Sequence, residues 1–423
     1  MKSDFEWHSG DGDDSPQEST ESISPRKKHL SRPVLFLLVV ISVVIGAWLL
    51  LRNVGEYVAA TEINAEDEVR SSLDFLIDAQ RDADLELFAG LLSGRDAGWA
   101  RTQISLANAG LLLDRNQFGL KLLGESAESV DLIVLSPDLR QATATRIFNY
   151  SRVDGEEAIS LAQVFDFRRG SDRWLFSPPD EDYWGGEEQV KGRFVTAIFP
   201  VRNSEFHRRL AADLEGTITS TCLVILGDCQ QELHMTVIFS RDPEVQLQGT
   251  GLATQRLNTG EFLLPAIGLF GLPTDESSYR AVYRAYATQI VESLISEHLD
   301  ATCCAKPVFY RALVNVQLNR LGLRERKRVS LDSSNVTLNQ LNDLWNLDSD
   351  AETISGQDKA LIQFFINFLT EDKSPEAVIS MQEWLFHSDS FWEWLRRFHT
   401  LSFESIENLE STWVEFIHDY GNE

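Results

Sequence analysis

The sequence is short of basic residues and lacks the common motifs of catalysis. Lysine and arginine number 38 against 65 aspartates and glutamates, so the formal net charge is −27. Because binding to a phosphate backbone needs clustered positive side chains, this composition argues against nucleic acid as a partner. The sequence has no G-x-S-x-G elbow, no Walker phosphate loop and no dinucleotide-binding fingerprint. The sequence therefore gives no support for the enzyme classes that carry those motifs.

Long apolar runs are also absent, with a single exception. Residues 33–51 read PVLFLLVVISVVIGAWLLL, nineteen residues without a charge. As a helix this run would reach about 28 Å, close to the thickness of the hydrocarbon core of a bilayer. It predicts one transmembrane helix over residues 33–52 that anchors the protein in the cell membrane as a single-pass signal-anchor.

The charges that flank this run predict its orientation. Four basic residues lie between positions 26 and 32, whereas acidic residues dominate the segment after Arg52. The positive-inside rule then places residues 1–32, a polar tail predicted to be disordered, in the cytoplasm. The rest of the chain is predicted to be extracytoplasmic, beyond a linker at residues 53–63. Cleavage after Ala60, where Val-Ala-Ala resembles a signal-peptide site, is the alternative.

Cysteine is scarce, and its spacing fits no standard zinc site. Cys222 and Cys229 flank the short segment LVILGD, and Cys303 and Cys304 are adjacent. An oxidising location outside the cytoplasm would permit disulfides, and four cysteines allow three pairings, among which the sequence does not choose. A bond between Cys222 and Cys229 is one possible pairing.

Residues 64–185 are predicted to form an α+β domain. Helical spacing of apolar residues covers residues 64–92 and 99–113, and four strand patterns follow between positions 130 and 179. This order and the ending, DRWLF and then DYWG, resemble the nuclear transport factor 2-like cone fold of exported bacterial proteins. The resemblance implies a cone that can hold a ligand. Because the segment contains no histidine, an Asp–His catalytic pair is not expected there.

Residues 190–423 are predicted to form a second, mainly helical α+β domain. Its first part, residues 190–270, is rich in strand patterns, and residues 276–423 are almost wholly helical, beginning with a long helix over 276–299. A strand–helix–strand segment, a long central helix and a helical bundle ending in ESTWVEFI resemble the thermolysin-like (gluzincin, MA clan) peptidases.

The resemblance implies a degenerate zinc site on the long helix. Those peptidases carry H-E-x-x-H, in which two histidines hold zinc and the glutamate polarises water. In the best register Thr288 and Glu292 replace the two histidines, and Gln289 replaces the glutamate. Threonine is a poor zinc ligand and glutamine cannot act as a base, so metal and catalysis would both be lost. The alternative is that all three are ordinary polar residues on a helix.

These features predict a membrane-anchored, extracytoplasmic protein with a non-catalytic peptidase-like domain. We expect it to bind a peptide, another protein or a small ligand at the cell envelope, without a cofactor. One alternative is a metallopeptidase-like hydrolase with unusual ligands, drawn from Glu292, His298 and the terminal bundle. The other is a membrane-tethered regulator that signals through its cytoplasmic tail.

Overall fold

The structure is a computed structural model of the chain. It describes residues 32–125, 131–152, 158–224, 234–247, 261–298, 306–324, 337–348, 354–371, 373–402 and 406–420. Contacts divide the chain into two compact units, Met1–Thr61 and Glu62–Glu423. The described residues are a mixture of helices and strands, as the sequence predicts for an α+β protein.

The first described element is the long helix α1 (Arg32–Arg81). Among the residues that the structure describes, it is the one helix long and apolar enough to cross a membrane. Its large apolar side chains between Phe36 and Leu51 are exposed wherever they are described. Such a surface is unfavourable in water and favourable in lipid. The helix is therefore compatible with a membrane anchor, and a signal sequence would have the same properties.

The second unit begins with helices and an antiparallel sheet. After the end of α1 come α2 (Leu85–Gly90), α3 (Ala97–Asn108), β1 (Leu120–Glu125), β2 (Leu132–Leu135), β3 (Gln141–Arg152), β4 (Ala158–Arg169) and β5 (Trp174–Phe176). The long strands β3 and β4 pair at the centre, β1 and β2 both pair with β3, and β5 pairs with β4. Both central strands alternate strictly between buried and part-exposed residues, so one face of the sheet faces the core.

A buried cation fastens this sheet to α1. Arg146 of β3 lies on the core side, and its guanidinium contacts Asp131 at 2.5 Å and Asp74 of α1 at 2.7 Å. Burial lowers the pKa of Arg146, but the hydrogen bonds that it donates to these two carboxylates outweigh burial and raise the pKa above its ordinary value. An ionised arginine held by two carboxylates satisfies the rule that buried charges are paired.

A second sheet follows, and most of it is parallel. Its elements are β6 (Glu187–Lys191), β7 (Val195–Pro200), α4 (Ser204–Val224), β8 (Met235–Ser240) and β9 (Glu261–Pro265). The strand order is β6-β7-β8-β9, in which β6 is antiparallel and the other neighbours are parallel. Helix α4 makes the crossover between β7 and β8, as a parallel pair requires.

After β9 the chain returns to the first sheet. The short helix α5 (Ile267–Phe270) leads to β10 (Leu272–Pro273), which pairs with β4. Gly271 joins them at φ +122°, and a Cβ there would lie 2.4 Å from the amide nitrogen of Gln163. The boundary predicted between residues 185 and 190 therefore overlaps β6 and falls inside one compact unit.

The side chain of Arg115 connects the segment before β1 with the segment that follows the second sheet. Arg115, at the end of the loop after α3, is 1% exposed. Its guanidinium donates hydrogen bonds to the carbonyl oxygens of Phe270 at 2.9 Å and Leu269 at 3.0 Å. It also donates to the carbonyls of its own loop, from Leu111, Leu112 and Asp114. These contacts connect the loop before β1 with α5.

The remainder of the described chain is helical. It comprises α6 (Glu276–His298), α7 (Pro307–Arg320), α8 (Leu338–Leu347), α9 (Gly356–Thr370), α10 (Pro375–His387), α11 (Phe391–Ser402) and α12 (Ile406–Tyr420). Phe309, Trp345 and Trp394 pack together with ring centroids 5.3 to 6.0 Å apart. Phe391, Trp394 and Phe398 of α11 thus lie in the core.

Several elements differ from their predicted bounds for local reasons. The helix predicted over residues 64–92 is interrupted, because Ala83 has φ +56° and Asp84 caps a new helix, α2. The edge strands β1 and β6 were not predicted. The sequence of β6, EEQVK, is too charged to show the apolar alternation of a strand. Helix α4 is 21 residues long, where the sequence predicts a short helix over residues 205–214.

The structure also corrects the environment predicted for His207. Its position beside two arginines predicts a solvated face, yet His207 is fully buried in α4. Its ring stacks on Phe199, Nδ1–H donates to the carbonyl of Asn203, and Nε2 accepts from the N–H of Ile267. Burial lowers the pKa of His207 to about 4, although the hydrogen bond to Asn203 opposes this shift. The ring is therefore a neutral structural link to α5.

This burial predicts acid sensitivity of the fold. Between about pH 6.5 and pH 4 the unfolded chain binds a proton at His207 that the folded chain does not. The free energy of unfolding should therefore fall by about 3 kcal/mol as the pH is lowered through this window. Urea unfolding of His207→Gln should lack that part of the pH dependence, while the same change at exposed His234 should keep it. Equal pH slopes in both variants would disprove the assignment.

Candidate functional site

The three residues of the predicted degenerate motif line one pocket, which we call the α6 pocket. Its volume is about 370 Å³. Its lining residues come from α6 (Ala281, Arg284, Ala285, Thr288, Gln289, Glu292), from the segment that leads into β1 (Asn116, Gln117, Phe118, Gly119, Leu120), from β3 (Arg152), and from α7 and its end (Arg311, Leu323, Arg324). A pocket of this size is within the range of small-molecule sites.

The packing of α6 decides which residues face the pocket. Apolar residues on its other faces are buried, among them Val282, Tyr286 and Ile290. The hydroxyl of Tyr286 donates to the carbonyl of Pro265 at the end of β9, so the rotation of the helix is fixed. Thr288 and Glu292, one helical turn apart, then lie on the pocket side.

Gln289 forms part of the pocket wall. Its side-chain nitrogen donates a hydrogen bond of 3.1 Å to the carbonyl oxygen of Gln117, in the segment between α3 and β1. Gln117 in turn donates from its own amide to the carbonyl of Gln246, in the 3-10 turn Pro243–Gln246 that precedes β9. Gln289 therefore connects α6 with the opposite wall of the pocket.

The charges of the α6 pocket are mostly positive. Arg152, Arg284, Arg311 and Arg324 line it, and Glu292 is the one carboxylate among the described lining residues, so these side chains sum to a formal charge of +3 when Glu292 is ionised. Burial raises the pKa of Glu292, and the nearby guanidinium groups of Arg324 and Arg311 act against that shift. The site thus concentrates positive charge in a chain whose net charge is −27.

The chemistry available in the described lining is limited. It includes no histidine and no cysteine, and Glu292 is its one carboxyl group. Across the described part of the chain, no group of three or more His, Cys, Asp or Glu side chains is placed to hold a metal ion. His298 is the last residue of α6, and its side chain lies outside the described part of the structure.

The predicted cysteine pair falls partly outside the described residues. Cys222 lies in α4, is fully buried and forms no disulfide with any described residue. Cys229 lies outside the described part of the chain, as do Cys303 and Cys304. The pairing of Cys222 with Cys229 stays a prediction.

Two further concave surfaces lie elsewhere on the second unit. One, of about 790 Å³, runs along α1, α2 and β5 and is lined by exposed Phe75 and Leu87 beside Trp174. The other, of about 660 Å³, lies between α4 and α6. In it the hydroxyl of Tyr279 donates to the Asp213 carboxylate, and burial together with that carboxylate raises the pKa of Tyr279.

The sequence predicts the helix that carries the site but not the arginines around it. Arg152 is in a different predicted domain from Arg284, and Arg311 and Arg324 belong to another helix and its C-terminal turn. Nothing in their spacing brings them together, because tertiary packing decides their proximity. The sequence offers one indication that a cluster of arginines is unusual, namely that arginine and lysine are outnumbered by acidic residues.

Comparison with known proteins gives no relative. No protein-family model, no curated protein and no solved structure matches this chain.

The raised pKa of Glu292 predicts how its replacement affects stability. The folded chain holds a proton on Glu292 at a pH where the unfolded chain has lost it, so ionisation of Glu292 costs stability as the pH rises. Glu292→Gln should therefore gain stability relative to wild type as the pH rises above about 4.5, the ordinary pKa of a glutamate, measured by urea unfolding. Glu86→Gln, on an exposed face of α2, is the control. A difference between Glu292→Gln and wild type that does not change with pH would contradict this.

Proposed function

We propose that this chain is a membrane-anchored binding protein whose second unit lies outside the cytoplasm and takes its ligand in the α6 pocket. The observation that carries this proposal is the convergence of Thr288, Gln289 and Glu292 with residues of β3, α7 and the segment before β1 on one pocket. Polar side chains from distant parts of a chain that meet in one concave site are the usual sign of a binding site.

The hydrogen bonding and chemistry of Gln289 favour binding over catalysis. Its amide donates to a backbone carbonyl in the pocket wall. A glutamine side chain does not ionise near neutral pH, so it cannot act as a general acid or base. Glu292, the one carboxyl group in the described lining, lies among arginines that a ligand would also contact. The groups present can orient a ligand through charge and hydrogen bonds.

The proposed kinship with thermolysin-like peptidases has support from two features. The segment β7–α4–β8 supplies a strand, a helix and a strand before the long helix α6. Thr288 and Glu292, the proposed replacements of the zinc-binding histidines, share the pocket-facing side of α6. We likewise propose a nuclear transport factor 2-like origin for residues 64–185, on the order of helices before an antiparallel sheet.

The proposed orientation follows from the charges beside the anchor. Protease added to right-side-out membrane vesicles should digest the second unit, whereas in inverted vesicles it should remove only residues 1–32. Mass measurement of the protected fragment locates its N-terminus and would reveal cleavage after Ala60. Digestion of the second unit in inverted vesicles would overturn the orientation.

The binding role predicts ligand-dependent stability. We would measure thermal unfolding of the full chain in detergent against a panel of sugars, amino acids, dipeptides and small anions. At least one class should raise the unfolding temperature with concentration, because a ligand that binds only the folded state stabilises it. Thr288→Trp, which fills the α6 pocket, should abolish that rise, and the same change at exposed Thr412 of α12 should not. If no class stabilises wild type more than Thr288→Trp, the binding role is wrong.

A further inference from the structure

Four arginines from separate parts of the fold line the α6 pocket. Arg284 is on α6, Arg311 is on α7, Arg324 follows α7, and Arg152 ends β3. Three of these are partly buried, and Arg311 is exposed at the rim. Their meeting in one concave site is notable in a chain with an excess of 27 acidic residues over basic ones.

We propose that the ligand of the α6 pocket is a small multivalent oxyanion, a molecule that carries two or three phosphate or carboxylate charges. The inference rests on the binding role proposed above. A guanidinium presents planar pairs of N–H groups that match the oxygen pairs of carboxylate and phosphate, and it stays charged at any physiological pH. Four such groups around one pocket favour this ligand over a neutral or cationic one.

The size and formal charge of the pocket restrict the ligand further. A volume of about 370 Å³ excludes a folded partner and accommodates a small metabolite. Its formal charge of +3, with Glu292 ionised, is matched by a ligand with two or three negative charges. Thr288 and Asn116 add a hydroxyl and an amide, which can donate further hydrogen bonds to ligand oxygens.

Glu292 would make binding depend on pH. Its carboxylate is the one negative group of the described lining, which it shares with Arg284 of its own helix, Arg311 and Arg324 of α7 and its end, and Arg152 of β3. Arg324 and Arg311 are close enough to act on its charge. Protonation of Glu292 removes a charge that repels an oxyanion. For an anion whose own charge stays constant over the pH range, affinity should therefore rise as the pH falls, and by linkage the bound anion should favour the protonated carboxyl group.

The test is calorimetric titration of the full chain in detergent with inorganic pyrophosphate, with citrate and with sucrose as the neutral control. At least one of the two anions should bind with saturation at a single site and with an affinity that falls as salt is added. Binding of pyrophosphate alone assigns a phosphate ligand, and binding of citrate alone assigns a polycarboxylate. Sucrose should not bind.

Matched variants locate the site. Arg311→Gln and Arg284→Gln should each weaken the anion about tenfold to a hundredfold, the range expected when a charge-assisted hydrogen-bond pair is lost. Arg101→Gln, an equal change of charge on the exposed face of α3, should change the affinity less than about twofold, in keeping with screening at a distance. Glu292→Gln should bind at least as tightly as wild type and should keep only the pH dependence that the anion's own protonation causes.

The outcomes separate this inference from the binding role. If neither anion binds, or if Arg101→Gln weakens binding as much as Arg311→Gln does, the oxyanion inference is overturned. Should a neutral compound from the panel then bind and be lost in Thr288→Trp, the binding role stands without it. Circular dichroism of each variant checks that it is folded. Arg311→Gln is expected to stay folded because the Arg311 side chain is exposed.

Discussion

The fold of the second unit depends on the buried guanidinium of Arg115. Burying a charged group costs several kcal/mol unless its hydrogen-bond donors find acceptors. The N–H groups of the Arg115 guanidinium donate to backbone carbonyls on two sides. On one side is the loop before β1, and on the other is α5, more than 150 residues later in the chain. The loss of either partner would leave a buried charge without its acceptors. The two segments are thereby held together.

The position of the α6 pocket follows from this constraint. Residues 116–120, which form one wall, begin directly after Arg115, and α6 begins shortly after β10. Tyr150 and Gln163 extend the same network, since the Tyr150 hydroxyl donates to the carbonyl of Leu113, and the Gln163 amide donates to the carbonyl of Phe270. The wall and the helix that carry the site are thus both positioned by polar contacts in the core.

Local patterns in the sequence were enough for the long helix α6 and the long strands β3 and β4. The helix predicted over residues 276–299 is observed as Glu276–His298, because its buried face has uninterrupted helical spacing. The strands β3 and β4 were predicted for the corresponding reason, a long alternation of period two. Such patterns record burial along a single element, so they predict its type and approximate bounds.

Contacts between distant segments left no such pattern. A strand of two residues, such as β10, is too short to show alternation, and the role of Arg115 depends on carbonyls that the sequence does not specify. The burial of His207 was hidden by the two arginines beside it, which point away on the same helix turn. The arginines of the α6 pocket are separated by up to 172 positions, and tertiary structure alone shows that they meet.

The pairing of β10 with β4 has a consequence for the order in which the chain folds. On the ribosome β4 is made about 100 residues before its partner, which at about 5–20 residues per second is a wait of about 5–20 seconds. During that time the central part of β4 is an open edge, and open edges are where nascent chains pair wrongly. A contact of such long sequence separation also slows folding itself. The first sheet, although encoded first, is completed only after the second sheet has been synthesised.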